Sequence, residues 1–445
     1  MIRLGLCFFF FVVFSCFAAE QTRLPLNDYF AETWNTRSGL PHNSINSVVQ
    51  TNDGYVWIAT WEGLARFNGR EFKLFTRTEI TGLPDSGLRS LAPQADGGLY
   101  IVGARGGISH LYQGQWHAKP NATAMVNHVL KTPSDETWLA LEGQGVVYRE
   151  FDSAPDTAIL ENLSAYRLIE DNAGIIWVAT SNGLYQINNK TARLITPDSG
   201  LPQSPIYTLY LTRQGELIVG SEQGAWKQVN NRFISIHAQL KNEAISSILQ
   251  DDHDDLWFGT INKGVFRLSP LGLEQLDADA GLPANRILSL LQDRENSIWV
   301  GTNGGLYRLR EAAFSTWTTK RGLTGDYVRT VLSHSDGSLW VGSSLGLNRI
   351  EDNKVNTFPP AYGNDPLSVL SLAEDAQGQI WLGTYTSGLM RIINGKVYPV
   401  LDRQNGLASN EVRALLFDSA GRLWVGTAAG LTRIDVDGSL KQFSS

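Results

Sequence analysis

The chain is nearly devoid of cysteine: of its 445 residues only Cys7 and Cys16 carry a thiol. Both lie in an N-terminal segment that reads as removable, so the mature protein is expected to have no disulfide, no thiolate metal ligand and no cysteine nucleophile. Methionine is also scarce, at 3 residues. No basic run occurs, and the formal net charge is −7, so the electrostatic footprint of a nucleic-acid binder is missing. The seven histidines, at 42, 110, 117, 128, 237, 253 and 334, form no metal-binding spacing, and no glycine loop of the phosphate-cradling kind occurs. Neither a catalytic residue, a metal nor a cofactor is therefore assigned. Helical periodicity is nowhere sustained, which leaves a β-rich reading. What the chain does have is aromatic weight, with 13 Trp and 10% aromatics against 18% charged residues, a balance suited to packed β structure.

Met1-Ile2-Arg3 followed by an apolar run from Leu4 to Phe17 and Ala18-Ala19-Glu20 has the order of a secretory signal peptide. Residues 1–19 are assigned to it, with cleavage expected after Ala18 or Ala19, which places the mature chain in the periplasm. The run is shorter than the roughly 20 residues of a membrane span, and an uncleaved N-terminal anchor is the alternative. Phe14-Ser15 before Cys16 fits a lipobox poorly.

At its length the chain would ordinarily hold two or three domains, but an internal repeat decides the architecture first. A unit recurs ten times: an alternating apolar segment, a polar turn, Trp-aliphatic-Gly/Ala, a short loop, then Gly-Leu and a second apolar segment. Clear copies include Trp57-Ile58-Ala59-Thr60, Trp177-Val178-Ala179-Thr180, Trp299-Val300-Gly301-Thr302 and Trp424-Val425-Gly426-Thr427. The ten anchors stand at 57, 100, 138, 177, 218, 257, 299, 340, 381 and 424, with Tyr100 and Ile218 replacing Trp, and successive gaps run from 38 to 43. Each unit reads as four strands; in the first they contain 46–51, 55–60, 64–67 and 71–75, with Asp53-Gly54 supplying the positive φ of a tight hairpin turn. Four short antiparallel strands in about forty residues describe a β-propeller blade, and the repeated Trp is most simply a packing residue between blades.

A longer period lies over the first. Trp34 and Trp317, Gly39 and Gly322, and Trp57 and Trp340 share one offset of 283 residues (340 − 57), an interval holding seven anchors. The expected architecture is thus all-β, ten four-stranded blades divided into a seven-bladed propeller over residues 24–311 and three blades of a second, incomplete one over residues 312–445. A single ten-bladed ring is the alternative. Residues 28–35 are expected to close the first ring as the outer strand of its seventh blade, which would remove an exposed sheet edge.

The repeat, as in Ile287-Leu288-Ser289-Leu290-Leu291-Gln292-Asp293 through Trp299-Val300-Gly301-Thr302-Asn303-Gly304-Gly305-Leu306, resembles that of the two-component regulator propeller family. The opening Glu32-Thr33-Trp34 through Gly39-Leu40-Pro41-His42-Asn43, and on to Trp61-Glu62-Gly63-Leu64, is similar to the start of propeller sensors attached to diguanylate cyclases; histidine-kinase sensors share the repeat. The resemblance implies a periplasmic ligand-sensing region of a bacterial signalling system. Members typically add an immunoglobulin-like module, a membrane span and a cytoplasmic output. None of these is found in this sequence, so the expectation is a truncated product or a binding protein that serves a separate membrane-bound signalling partner.

Binding usually resides in variable polar loops on a rigid scaffold. In the first ring the loops between the second and third strands contribute Trp61, Glu62, Arg105, Glu142, Asn182, Glu222, Asn262, Lys263 and Asn303, and His42 lies on the same face. Trp61 and Arg105 stand out, as an aromatic plate and a planar cation among small polar residues. A small polar ligand such as an oligosaccharide is expected there. Asp251, Asp252, Asp254 and Asp255 fall in a hairpin turn, where solvated carboxylates are the expectation and weak cation binding the alternative. Two other classes of function compete: a polysaccharide lyase or hydrolase, which requires a convergent acid and base at the ring mouth, and a protein-interaction scaffold.

Overall fold

The computed structural model describes residues 23–94, 96–119, 122, 124–150, 154–311, 316–351, 354–363 and 365–443. The expected signal peptide lies outside the described residues. The chain folds into ten four-stranded antiparallel sheets with only short 3-10 turns between them, and it divides into two compact units, residues 1–313 and 314–445.

Within every sheet but the seventh the four strands follow chain order from the innermost outward. In the first repeat they are Ile45–Gln50, Val56–Thr60, Gly63–Phe67 and Phe72–Phe75. The first hairpin turns at Gly54, whose φ of 87° is costly for any residue with a Cβ. The second strand of this sheet is buried along its whole length, because a neighbouring sheet covers each of its faces. One core cluster joins Ile45, Val48, Ile58 and Phe67 of the first repeat to Trp299 and Leu306 of the seventh. Seven sheets thus follow one another through unit one, and the seventh packs on the first.

The seventh sheet is completed from the other end of the unit. Phe30–Trp34 pairs antiparallel with Leu306–Arg310, in the register Phe30 to Arg310 and Trp34 to Leu306. Trp34 lies stacked on Trp299 at 5.5 Å between ring centroids, and the Arg308 guanidinium covers both rings and binds the Glu32 carboxylate. The segment just before this strand is pinned to the sixth sheet, where Arg267 donates to the Leu24 carbonyl and Arg23 to Asp255.

The anchor residues are packing residues. Trp257 and Trp299 are wholly buried; on the order of 200 Å² removed from water at about 25 cal/mol per Å² makes each an anchor of about 5 kcal/mol. Burying an indole also buries its N–H, which needs an acceptor. In five repeats the acceptor is an aspartate six residues earlier: Asp171 for Trp177, Asp251 for Trp257, Asp293 for Trp299, Asp375 for Trp381 and Asp418 for Trp424, at 2.6–2.9 Å. The other carboxylate oxygen accepts turn N–H groups, as Asp293 does from Ser297 at 2.7 Å. Asp251 and Asp255 are accordingly buried and not solvated turn residues as the sequence suggested: one carboxylate holds both the turn and the tryptophan. Asp252 and Asp254 do face solvent, where both meet Arg213 of the preceding sheet.

In unit two the same sheet-on-sheet packing joins Trp340 and Leu347 to Val369, Leu382 and Met390. Its first sheet keeps one face uncovered: Val331 is 61% exposed, whereas its counterpart Val48 in unit one is 3% exposed.

Candidate functional site

The innermost strands of unit one surround a cavity of about 1080 Å³. Each of these strands carries the same irregularity. Pairing with the second strand slips by one residue between Ile45 and Ser47, Leu88 and Ser90, Val126 and His128, Ala165 and Arg167, Ile206 and Thr208, Ile245 and Ser247, and Ile287 and Ser289. A bulge frees the skipped residue from the ladder and re-aims its side chain. The seven skipped residues, Asn46, Arg89, Asn127, Tyr166, Tyr207, Ser246 and Leu288, all line the cavity. The framework is constant around the circuit and the projected group differs almost every time.

Several of these side chains cross to the next sheet. Asn46 Nδ2 donates to the Leu88 carbonyl at 2.7 Å, Asn127 Nδ2 to the Ala165 carbonyl at 2.8 Å, and Ser246 Oγ to the Ile287 carbonyl at 2.7 Å. Arg89 binds Asn127 Oδ1, and Asn127 also donates to Glu142 at 3.0 Å. Glu142 in turn accepts from Ser164 Oγ at 3.1 Å. Tyr166 and Tyr207 stand side by side, ring centroids 5.9 Å apart and tilted by 47°. Burial raises both phenol pKa values, helped by the Glu142 carboxylate at Tyr166 and by Glu222 at Tyr207, so both remain neutral donors at physiological pH.

The residue after each bulge forms a second tier; in five of the seven repeats it carries a hydroxyl, and at Ser47 and Ser289 that hydroxyl ties neighbouring sheets together. Val48 N–H donates to Ser289 Oγ at 3.0 Å and Leu91 N–H to Ser47 Oγ at 3.3 Å. In the third and fourth repeats this position holds His128 and Arg167 instead, and both line the cavity. Arg167 is open to the lumen by surface area yet ringed by protein, so burial works against its charge and lowers its pKa. His128 Nδ1 is buried with no hydrogen-bond partner. Burial first and the neighbouring Arg167 charge second hold the His128 pKa well below the ordinary imidazole value.

The ten residues selected from sequence do not line this cavity. The loops that carry them sit where the innermost strands begin, because their backbone N–H groups tie there: Glu142 to the Met125 carbonyl, Glu222 to Pro205, Asn303 to Arg286. Glu62, Asn182, Glu222, Asn262, Lys263 and Asn303 are exposed side chains on five loops, Asn262 and Lys263 sharing one. Trp61, 40% exposed, has its ring close over Gly87. Arg105 lies 3.8 Å from the Asp85 carboxylate, and His42 Nδ1 accepts the Ser44 N–H at 2.9 Å. Glu142 alone joins the cavity wall, through Arg89 and Asn127. Sequence reasoning missed the two tiers on the innermost strands. Their signal was present: the position after the apolar residue that opens each repeat varies most freely, and the next is Ser or Thr except at His128, Arg167 and Ala414. Among the described residues no group of three His, Cys, Asp or Glu side chains is arranged to hold a metal ion.

Five segments of the chain, residues 39–62, 239–262, 281–304, 364–386 and 406–429, match the family described as two component regulator propeller. No curated protein matches the chain. Among solved structures, the chain is similar to the extracellular domain assigned to a hybrid two component system of B. thetaiotaomicron, with a TM-score of 0.70 at 21% identity, over 94% of this chain and 67% of that one. It is similar also to an extracellular domain assigned to a one component system of the same organism, with a TM-score of 0.54 at 18% identity, over 93% and 68% of the two chains. A streptogramin B lyase matches over 64% of this chain and 98% of its own, with a TM-score of 0.51 at 12% identity. These likenesses are of fold. The five matched segments fall in both units, so the similarity to the two component regulator propeller family is carried by five of the ten repeats.

Proposed function

We propose that this chain is the exported ligand-sensing part of a bacterial signal-transduction system, and that it binds a small polar ligand without transforming it. The observation that carries the reading is the bulge tier of unit one. Seven equivalent backbone positions present Asn46, Arg89, Asn127, Tyr166, Tyr207, Ser246 and Leu288 into one cavity, a repeated scaffold lined by five residue types. Converging donors, acceptors and two aromatic rings in a concave site suit recognition of a small polar molecule. Residues 24–311 form a seven-bladed ring in this reading, supported by the pairing of Phe30–Trp34 with the seventh sheet, and residues 312–445 supply three further blades. Periplasmic location is supported by the signal-like N-terminus and by the extracellular origin of the structural neighbours.

Thermal-shift and calorimetric screening of the purified mature chain against sugars, amino acids and organic acids tests the proposal, since a ligand of the native state raises its unfolding midpoint. Saturable binding with the ligand recovered unchanged is the expected result. Steady release of a product would overturn it in favour of a propeller enzyme, the class to which the streptogramin B lyase belongs.

A further inference from the structure

The second tier of the channel departs from its own repeat in one place. Its position is Ser47, Ser90, Thr208, Ser247 and Ser289 in the other five repeats of unit one, and Thr330, Ser371 and Ala414 in unit two. The hydroxyl accepts a backbone N–H from the next sheet at Ser47 and Ser289. By register, the corresponding donors beside His128 and Arg167 are the N–H groups of Leu168 and Leu209, and an imidazole and a guanidinium stand where their acceptors would be. What is broken is the run of hydroxyl residues along this tier, a local inconsistency of the kind expected at functional positions.

Arg167 also lacks the carboxylate partner that the neighbouring cations of this wall have. Arg89 has the Glu142 carboxylate at 3.7 Å and Lys131 has Asp135 at 2.7 Å. Arg167 makes no ion pair or hydrogen bond with any described residue. Its guanidinium is open to the lumen, where an anion entering the cavity can reach it. Its planar fork matches an oxoanion through two parallel N–H···O bonds. His128 lies beside it with an unsatisfied ring nitrogen, and Tyr166, on the adjacent bulge, brings a neutral phenol into the same cavity.

We infer that the channel of unit one is a receptor site for a small oxoanion-bearing molecule, whose carboxylate, sulfate or phosphate group is held by Arg167 with His128 beside it. This rests on the ligand-sensing reading above and specifies its ligand class. The anion supplies the partner that the wall does not give Arg167.

The test is titration calorimetry of the mature chain with sulfate, phosphate and D-glucuronate, and with D-glucose as the neutral match to glucuronate. The three anions separate inorganic from organic sources of the same chemistry. At least one anion is expected to bind saturably and glucose not to, with affinity falling about tenfold or more in Arg167→Gln. Arg167→Ser restores the hydroxyl of the repeat. It is expected to raise the unfolding midpoint of the ligand-free protein while abolishing anion binding, a combination that a merely structural arginine would not give. A readout free of variants is phenylglyoxal labelling followed by peptide mapping, in which the bound anion protects Arg167. Failure of all three anions to bind, equal affinity of Arg167→Gln and wild type, a lowered midpoint in Arg167→Ser, or labelling of Arg167 indifferent to the anion would each overturn the inference. Binding of neutral sugars alone would overturn the anion site and leave the sensing proposal standing.

Discussion

Replacing Asp293 by Ala is expected to destabilise unit one strongly although it removes no apolar surface. Asp293 accepts the Trp299 indole N–H at 2.6 Å, the Ser297 N–H at 2.7 Å and the Glu295 N–H at 3.1 Å. A hydrogen bond to a charged group contributes about 1.5–3 kcal/mol, and a buried donor left without a partner costs about 1–3 kcal/mol. The Glu295 N–H lies near solvent and can turn to water, but Trp299 is completely buried and cannot. The tryptophan bond therefore dominates, and about 3 kcal/mol is expected for the whole substitution. Over a unit of this size, at about 2.1 cal/mol/K of unfolding entropy per residue, that lowers the thermal midpoint by roughly 5 °C. Asp375→Ala removes the same contact from Trp381, which is only half-buried; water can reach that indole, so a smaller loss is expected. Asp252→Ala, an exposed member of an Arg213 ion pair, is the control and should change stability by less than about 0.5 kcal/mol. Calorimetric scans of the three variants decide the matter. Equal losses in Asp293→Ala and Asp252→Ala would refute the claim that the aspartate serves the tryptophan.

Three further outcomes follow from the packing. Trp34→Ala removes the ring stacked on Trp299 across the closing strand and should cost about 3 kcal/mol or more; amide exchange should then rise along both Phe30–Trp34 and Leu306–Arg310, and exchange confined to the first strand would contradict the closure. At Gly259 a Cβ would come within 2.5 Å of Ile287 in the next sheet, so Gly259→Ala should cost about 1–3 kcal/mol in urea unfolding, whereas an unchanged midpoint would show that the interface yields. In unit two, burial opposes the charge of His334, but the Gly378 carbonyl, Asp336 and Glu374 outweigh it and raise its pKa. A raised value means that the stabilisation is complete below the unfolded pKa of about 6.5 and disappears as pH climbs through the folded value; His334→Gln should flatten that decline, and parallel pH profiles for the two proteins would refute the assignment.

Much of this architecture was legible in the residues. The Trp-aliphatic-Gly/Ala anchor and the Asp-Gly turn locate the strands of the first sheet to within about a residue, because period-two burial and tight-turn chemistry act locally. The offset of 283 residues between Trp57 and Trp340 pointed to a restart that local propensity could not have shown. The candidate site was harder to see. A β-bulge is one residue wide and leaves the apolar alternation on either side intact, so Asn46 and Tyr166 read as ordinary strand residues. The carboxylates of Asp251 and Asp293 look like solvated turn residues because Asp is common in turns; only the approach of an indole N–H six residues later shows why they are buried. His128 and Arg167 become conspicuous once the bulges set the register, since only then do they align with Ser47 and Thr208.

The central claim is that the ligand is read on the innermost strands of unit one and not on the outer loops. Titration calorimetry with one ligand from the screen separates the two, comparing wild type, Tyr207→Ala on the bulge tier and Asn303→Ala on an exposed loop. Binding that weakens about tenfold or more in Tyr207→Ala and is unchanged in Asn303→Ala is the predicted result; binding lost in Asn303→Ala and intact in Tyr207→Ala would contradict it.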